Sequence, residues 1–177
     1  MKSKVTGVLL AAGAALAISA ATAVPAAAAT SGSETVTGTL VTSGVSGTRT
    51  AISSVLVAKG VFRGVGRLVE IPNLPTDPDN VSRDDLVYPE GTMHLVSTTV
   101  GISAFSLNPH NCLFKVTLQQ TSEITGGTGL FAHASGDFTG TVSGQGLGAR
   151  DPDGSCSFTR PSLHEVDMIA FSGTLSF

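Results

Sequence analysis

Residues 124–136 read ITGGTGLFAHASG, four glycines around a single Leu-Phe pair. Within it, Gly127-Thr128-Gly129-Leu130-Phe131-Ala132 satisfies the G-x-G-x-x-A form of the dinucleotide fingerprint. That fingerprint works only where it opens a helix, because free N–H groups at the helix N-terminus hold the pyrophosphate. A helix starting near Leu130 meets Gly136 six residues later, and the alternating run DFTGTVS (Asp137–Ser143) follows at once. No lysine follows the glycines, so a phosphate-cradling P-loop is excluded as well. The stretch reads instead as a strand end, a glycine turn and a short bulged connection, with glycines supplying positive φ and close backbone approach. Phe131 is expected to plug the end of the core, and His133 to sit at an exposed tip.

Working outward, period-two alternation recurs at hairpin spacing. Glu34–Thr42 sets Val36, Gly38 and Leu40 on one face against threonines on the other. Thr48–Ala58 is a second run and Val61–Ile71 a third, in which Phe62, Gly64, Gly66 and Leu68 share a face while Arg63 and Arg67 share the opposite one. The arginine face is expected outside; missing side chains at the glycines suit a tightly curved interior. Pro72–Gly91, with four prolines and four aspartates, reads as a loop. Thr92–Thr99 and Gly101–Leu107 read as two strands joined tightly. In Cys112–Ile124, Phe114, Val116 and Leu118 oppose Lys115, Thr117 and Gln119. Asp137–Ser143 and Ser155–Thr159 follow, and the chain ends Ile169, Phe171, Gly173, Leu175, Phe177 in strict alternation.

About eight strands and no helical period predict an all-β, eight-stranded antiparallel β-barrel, with a sandwich as the other architecture compatible with this spacing. Composition agrees. Beyond residue 29 there are 7 alanines against 37 serines and threonines and 19 glycines, a balance that disfavours helices.

The first 29 residues read as a signal peptide. Lys2 and Lys4 precede an uncharged apolar run, Val5–Ala20, and Pro25 leads into Ala27-Ala28-Ala29, which fits a small-residue cleavage site after Ala29. An uncleaved anchor is the other reading, but the run is short of the ~20 residues that a spanning helix needs. Residues 30–177 are then one domain carrying eight basic and thirteen acidic side chains. A net-negative chain of that kind is a poor partner for nucleic acid or for anionic membranes, and a secreted location is expected. In an exported protein Cys112 and Cys156 are expected to pair, closing a loop worth roughly 4 kcal/mol by chain entropy.

The turn itself, Ile124-Thr125-Gly126-Gly127-Thr128-Gly129-Leu130-Phe131-Ala132-His133-Ala134-Ser135-Gly136, resembles the ITGG-[ST]-G-x-[FY]-x-x-A-x-G turn of the allene oxide cyclase and dirigent superfamily. The likeness is specific over these 13 residues and loose over roughly 91–177, where an amphipathic strand precedes the turn and a final strand closes the chain. It implies an eight-stranded antiparallel barrel with an apolar lumen, trimeric in many plant members, so an oligomer is compatible with it. Residues 34–71 show no motif that aligns with the lumen acids of the cyclases or the pocket charges of dirigent proteins, so no catalytic residue transfers.

Other constellations are weak. His94, His110, His133 and His164 include no i,i+4 pair. Asp77-Pro78-Asp79-Asn80 fails the EF-hand pattern, with Ser82 at the sixth position and Tyr88 at the twelfth. No metal or cofactor is expected. Asn80-Val81-Ser82 is a glycosylation sequon. Glu70 falls by alternation on the interior face of the third run, where a lumen-mouth carboxyl would be partly desolvated and able to polarise a ligand; if the strand ends at Val69 it lies in water. His94, sharing a face with Val96, is a lesser lumen candidate, and Glu123 is expected outside.

These readings predict a barrel that binds a small apolar ligand or partner between walls formed by Phe62, Leu68, Phe114, Val116, Leu118 and Phe131, with Glu70 and His94 as polar candidates. A cofactor-free cyclase or isomerase, as the resemblance implies, and a packed structural barrel are the rivals. A lumen filled to native density would exclude the first two. An open cavity with a buried carboxyl favours the enzyme, and a wholly apolar one favours binding.

Overall fold

The computed structural model describes residues 29–177. Eight strands, β1 (Ser31–Ser43), β2 (Thr50–Gly60), β3 (Arg63–Ile71), β4 (Val81–Tyr88), β5 (Gly91–Leu107), β6 (Leu113–Gly127), β7 (Gly136–Leu147) and β8 (His164–Ser176), form a closed antiparallel barrel in chain order. Closure is made by β1 against β8, in register from Ser31↔Ser176 to Thr42↔Glu165. The terminal alternation is what permits it: β8 lays Ile169, Phe171 and Leu175 inward, and Phe177 is tied to Thr30 by reciprocal backbone hydrogen bonds of 2.9 Å. The leader expected over residues 1–29 lies, apart from Ala29, outside the described residues.

Two ends result. Hairpins β2–β3, β4–β5 and β6–β7, the start of β1 and the end of β8 lie at one end, here called the floor. The connections 44–49, 72–80, 108–112 and 148–163 lie at the other, the mouth. A disulfide between Cys112 and Cys156, Cα atoms 5.5 Å apart, ties two of the mouth connections together.

The opening stretch becomes β6, a single 3-10 turn at Gly129–Phe131, and β7. Gly129 has φ +59°, and a Cβ there would strike the Glu90 carbonyl, so the site is closed to side chains on two counts. The Leu130 N–H donates to Glu90 O (2.9 Å) and the Thr128 N–H to Thr92 O (2.8 Å). The turn is thereby pinned to the β4–β5 hairpin and swings Phe131, wholly buried, into the barrel.

Three expectations need correction. Pro72–Gly91 is not all loop, because Val81–Tyr88 is β4, paired with β3 and β5. Its mouthward half is polar on both faces, Ser82 and Asp84 inside and Arg83 and Asp85 outside, which erases the alternation that reveals a half-buried strand. The two runs Thr92–Thr99 and Gly101–Leu107 are one strand, β5; the register against β6 shifts between Thr99 and Gly101, leaving Val100 as an exposed bulge residue. Ser155–Thr159 is not a strand. It lies in the β7–β8 connection, where Cys156 makes only an isolated bridge to Arg150.

Candidate functional site: the barrel lumen

The floor is sealed by rings. Phe62 stands edge-on to Tyr88 and to Phe131, each with centroids 5.0 Å away, and Phe177 closes on Phe131 at 5.5 Å. Edge-to-face packing of this kind stabilises by about 0.5–1.5 kcal/mol per pair beyond burial. The interior glycines of β3 make room for it. A Cβ on Gly66 would lie 2.6 Å from the Tyr88 ring, and one on Gly64 would lie 2.5 Å from that of Phe62.

Above the rings the lumen is open, a cavity of about 350 Å³, comparable to ligand pockets in general. Its waist is apolar: Val36, Leu40, Leu56, Leu68, Leu86, Met93, Leu95, Val116, Leu118, Val142, Ile169 and Phe171. On β5 and β6 it is interrupted by Ser97 and Ser122, whose hydroxyls share a hydrogen bond of 2.8 Å, and by Gln120, which donates to Thr99 Oγ1 at 3.1 Å. Two further polar sets lie at its ends. At the floor Glu34 is 2% exposed; its Oε2 accepts the Phe62 N–H at 2.8 Å, while Oε1 has no partner. The Tyr88 hydroxyl is likewise buried without a partner, and burial together with the Glu34 charge raises its pKa.

The mouth is acidic. Glu70, Asp84, Glu165 and Asp167 line it, and the basic residue lining the cavity is Arg49. Arg49 reaches from the β1–β2 connection to pair with Glu70 and, at 3.2 Å, with Asp167 Oδ2. Burial pushes Asp84 up to about 6, against the opposing pull of Arg49 and a hydrogen bond from Ser82. Asp167 is also pushed up to about 6, by burial and then by the neighbouring Glu165 charge, again against Arg49. Ser162 Oγ donates to Glu165 Oε2 at 2.8 Å and holds that carboxylate in place.

Of the residues singled out from sequence, Leu68, Glu70, Val116 and Leu118 line the cavity. Phe62 and Phe131 belong to the seal beneath it, and Phe114 lies on the same face above it, its ring against Gly146. His94 is on the outer wall, a correction of its expected lumen placement. Met93, Leu95 and Ser97 take the interior positions of β5, so His94 points outward and pairs with Asp85 at 2.7 Å. His133 and Glu123 are exposed, as expected. Asp77, in the proline-rich loop, is engaged bidentately by Arg83 at 2.7 and 2.9 Å, which lowers its pKa. Among the described residues no three His, Cys, Asp or Glu side chains converge as a metal-ligand set.

Glu34, Arg49, Asp84, Glu165 and Asp167 went unnoticed in the sequence. Glu34 and Asp167 were within reach of a parity count, since each lies two residues from an apolar lumen position on its own strand, Val36 and Ile169. Asp84 was hidden with β4, and Arg49, read as part of the Thr48–Ala58 run, falls in the β1–β2 connection because β2 begins only at Thr50.

Fold and site define a closed eight-stranded barrel with a sealed aromatic floor and an open, carboxylate-rimmed lumen. Compared with family models, curated proteins and solved structures, the chain matches none of them.

Proposed function

We propose that the protein is a secreted barrel that binds a small, largely apolar ligand in its lumen. The observation that carries this reading is the cavity of about 350 Å³ with an apolar waist inside an otherwise complete barrel. A lumen left open above a sealed floor is a pocket rather than a packed core. The disulfide agrees with an oxidising compartment, and the resemblance of the Ile124–Gly136 turn to the allene oxide cyclase and dirigent superfamily supports a ligand-accessible barrel. The test is titration of decanol by calorimetry. The wild-type protein is expected to bind one molecule per barrel. Val116→Trp, which fills the lumen opposite Gly144, is expected to abolish binding, and Val65→Trp on the outer wall to leave it unchanged. Equal binding by both variants, or none by the wild type, would contradict the reading.

A second reading has its own support. Asp84 and Asp167, both pushed up to about 6, could give and take a proton over a substrate confined in one conformation, as a cofactor-free cyclase or isomerase would require. Turnover of an unsaturated epoxide that is lost in Asp84→Asn, with simple decanol binding retained, would select it.

A further inference from the structure

The charged groups lining the lumen are five carboxyls and one guanidinium, and that narrows the ligand. Four carboxyls from β3, β4 and β8 face the mouth around one guanidinium. At the floor, Glu34 holds an oxygen with no hydrogen-bond partner, although the residue is almost completely buried. Leu40 is the register partner of Asp167, so Glu34 and Asp167 are six residues apart along β1. That is about 20 Å of strand, or about 15 Å along the axis of a barrel tilted near 40°. On β1 the interval is Val36, Gly38 and Leu40, and the wall is otherwise largely apolar, broken on β5 and β6 by the Ser97–Ser122 pair and Gln120, whose amide donates to Thr99.

Resting on the lumen-binding reading, the geometry points to an elongated cationic amphiphile as the ligand class: an ammonium or guanidinium head among Glu70, Asp84, Glu165 and Asp167, an aliphatic body along the waist, and a hydrogen-bond donor at the inner end for Glu34. A carboxylate head would face four like groups with only Arg49 to offset them. A metal ion fits poorly, since among the described residues no three carboxyls converge as a ligand set. Arg49 shows how a cation sits there, joining Glu70 on β3 to Asp167 on β8. An amine taking part in the same network would offset the Glu165 charge, which adds to burial in favouring protonation of Asp167.

Four probes of equal chain length test this by calorimetry on the wild-type domain: decylamine, decanol, decanoate and 10-aminodecanol. At pH 7.5 decylamine is expected to bind at least about tenfold tighter than decanol, as charge-assisted hydrogen bonds allow, with decanoate weakest. The 10-aminodecanol is expected to exceed decylamine by a margin that shrinks in Glu34→Gln. Asp84→Asn/Asp167→Asn, with the fold checked by circular dichroism, should bring decylamine and decanol to parity. Decylamine binding should weaken on acidification to pH 5, as Asp84 and Asp167 take up protons in the field of Arg49, Glu70, Asp85 and Glu165; β5, β6 and β7 contribute no charged group to the lumen. Equal affinity for amine, alcohol and carboxylate would overturn the inference and leave the lumen reading standing. Tighter binding of decanoate would reverse its sign. Failure of all four to bind would remove both.

Discussion

The two ends of this barrel are built from opposite chemistry on the same strands. At the floor, β3 presents Gly64 and Gly66, β4 presents Leu86 and Tyr88, and the turn after β6 delivers Phe131, so that aromatic rings meet and exclude water. At the mouth the same two strands present Leu68, Glu70, Ser82 and Asp84, and β8 adds Glu165 and Asp167. The floor contributes stability through packing. The mouth costs stability, because carboxyls held in a half-buried ring resist ionisation. What differs is the use to which each end is put: one closes the barrel, and the other keeps it open.

The largest effect expected from breaking that division is at the floor. Phe131→Ala removes the central, wholly buried ring, and should cost about 3–5 kcal/mol in urea unfolding. It should also join the lumen to solvent at both ends. Next comes the staple at the mouth. Cys112→Ser/Cys156→Ser should cost about 2–4 kcal/mol, with the faster hydrogen exchange appearing in connections 108–112 and 148–163 and not at the floor. Smaller, and of opposite sign, is Asp84→Asn. Removing a carboxyl whose ionisation is penalised should stabilise the protein by about 1–3 kcal/mol at pH 7.5.

The sign of the pH dependence follows from the same groups. Asp84 and Asp167 have folded-state pKa values near 6, above the unfolded value of 3.8, so the folded chain holds more protons between pH 4 and 6. Their penalty is absent below the unfolded pKa, grows as pH rises through that window and is full above about 6. Thermal unfolding of the wild type should therefore give a higher Tm at pH 5 than at pH 7.5, and Asp84→Asn should flatten the difference. The smallest effect belongs to the outer wall. His94→Ala removes an exposed pair with Asp85 and should change stability by no more than about 0.5 kcal/mol.

The same contrast explains what could be read in advance. The floor and waist were legible because apolar alternation is the signal that strands emit: Phe62 to Leu68, Phe114 to Leu118 and Ile169 to Phe177 announced their faces, and Phe131 its role as plug. The mouth was not, because the residues that make a pocket polar are the ones that spoil alternation. The prolines and aspartates of Pro72–Gly91 make β4 read as loop, and that hides Asp84 and the true neighbour of Glu70. Glu70 itself was found only because β3 remains regular to its end. Arg49 falls within the run Thr48–Ala58, but β2 begins at Thr50, and its place follows from the close of the barrel bringing β8 beside β1.

The central claim is that an apolar ligand enters the lumen through the carboxylate mouth and stops at the aromatic floor. Methyl-labelled protein titrated with decanol, and followed by carbon–proton correlation spectra, tests it most directly. Shifts are expected at Leu68, Leu95, Val116, Leu118 and Val142, with Ile52, Val55 and Val65 on the outer wall unmoved. Shifts confined to the outer wall, or none at saturating decanol, would contradict it.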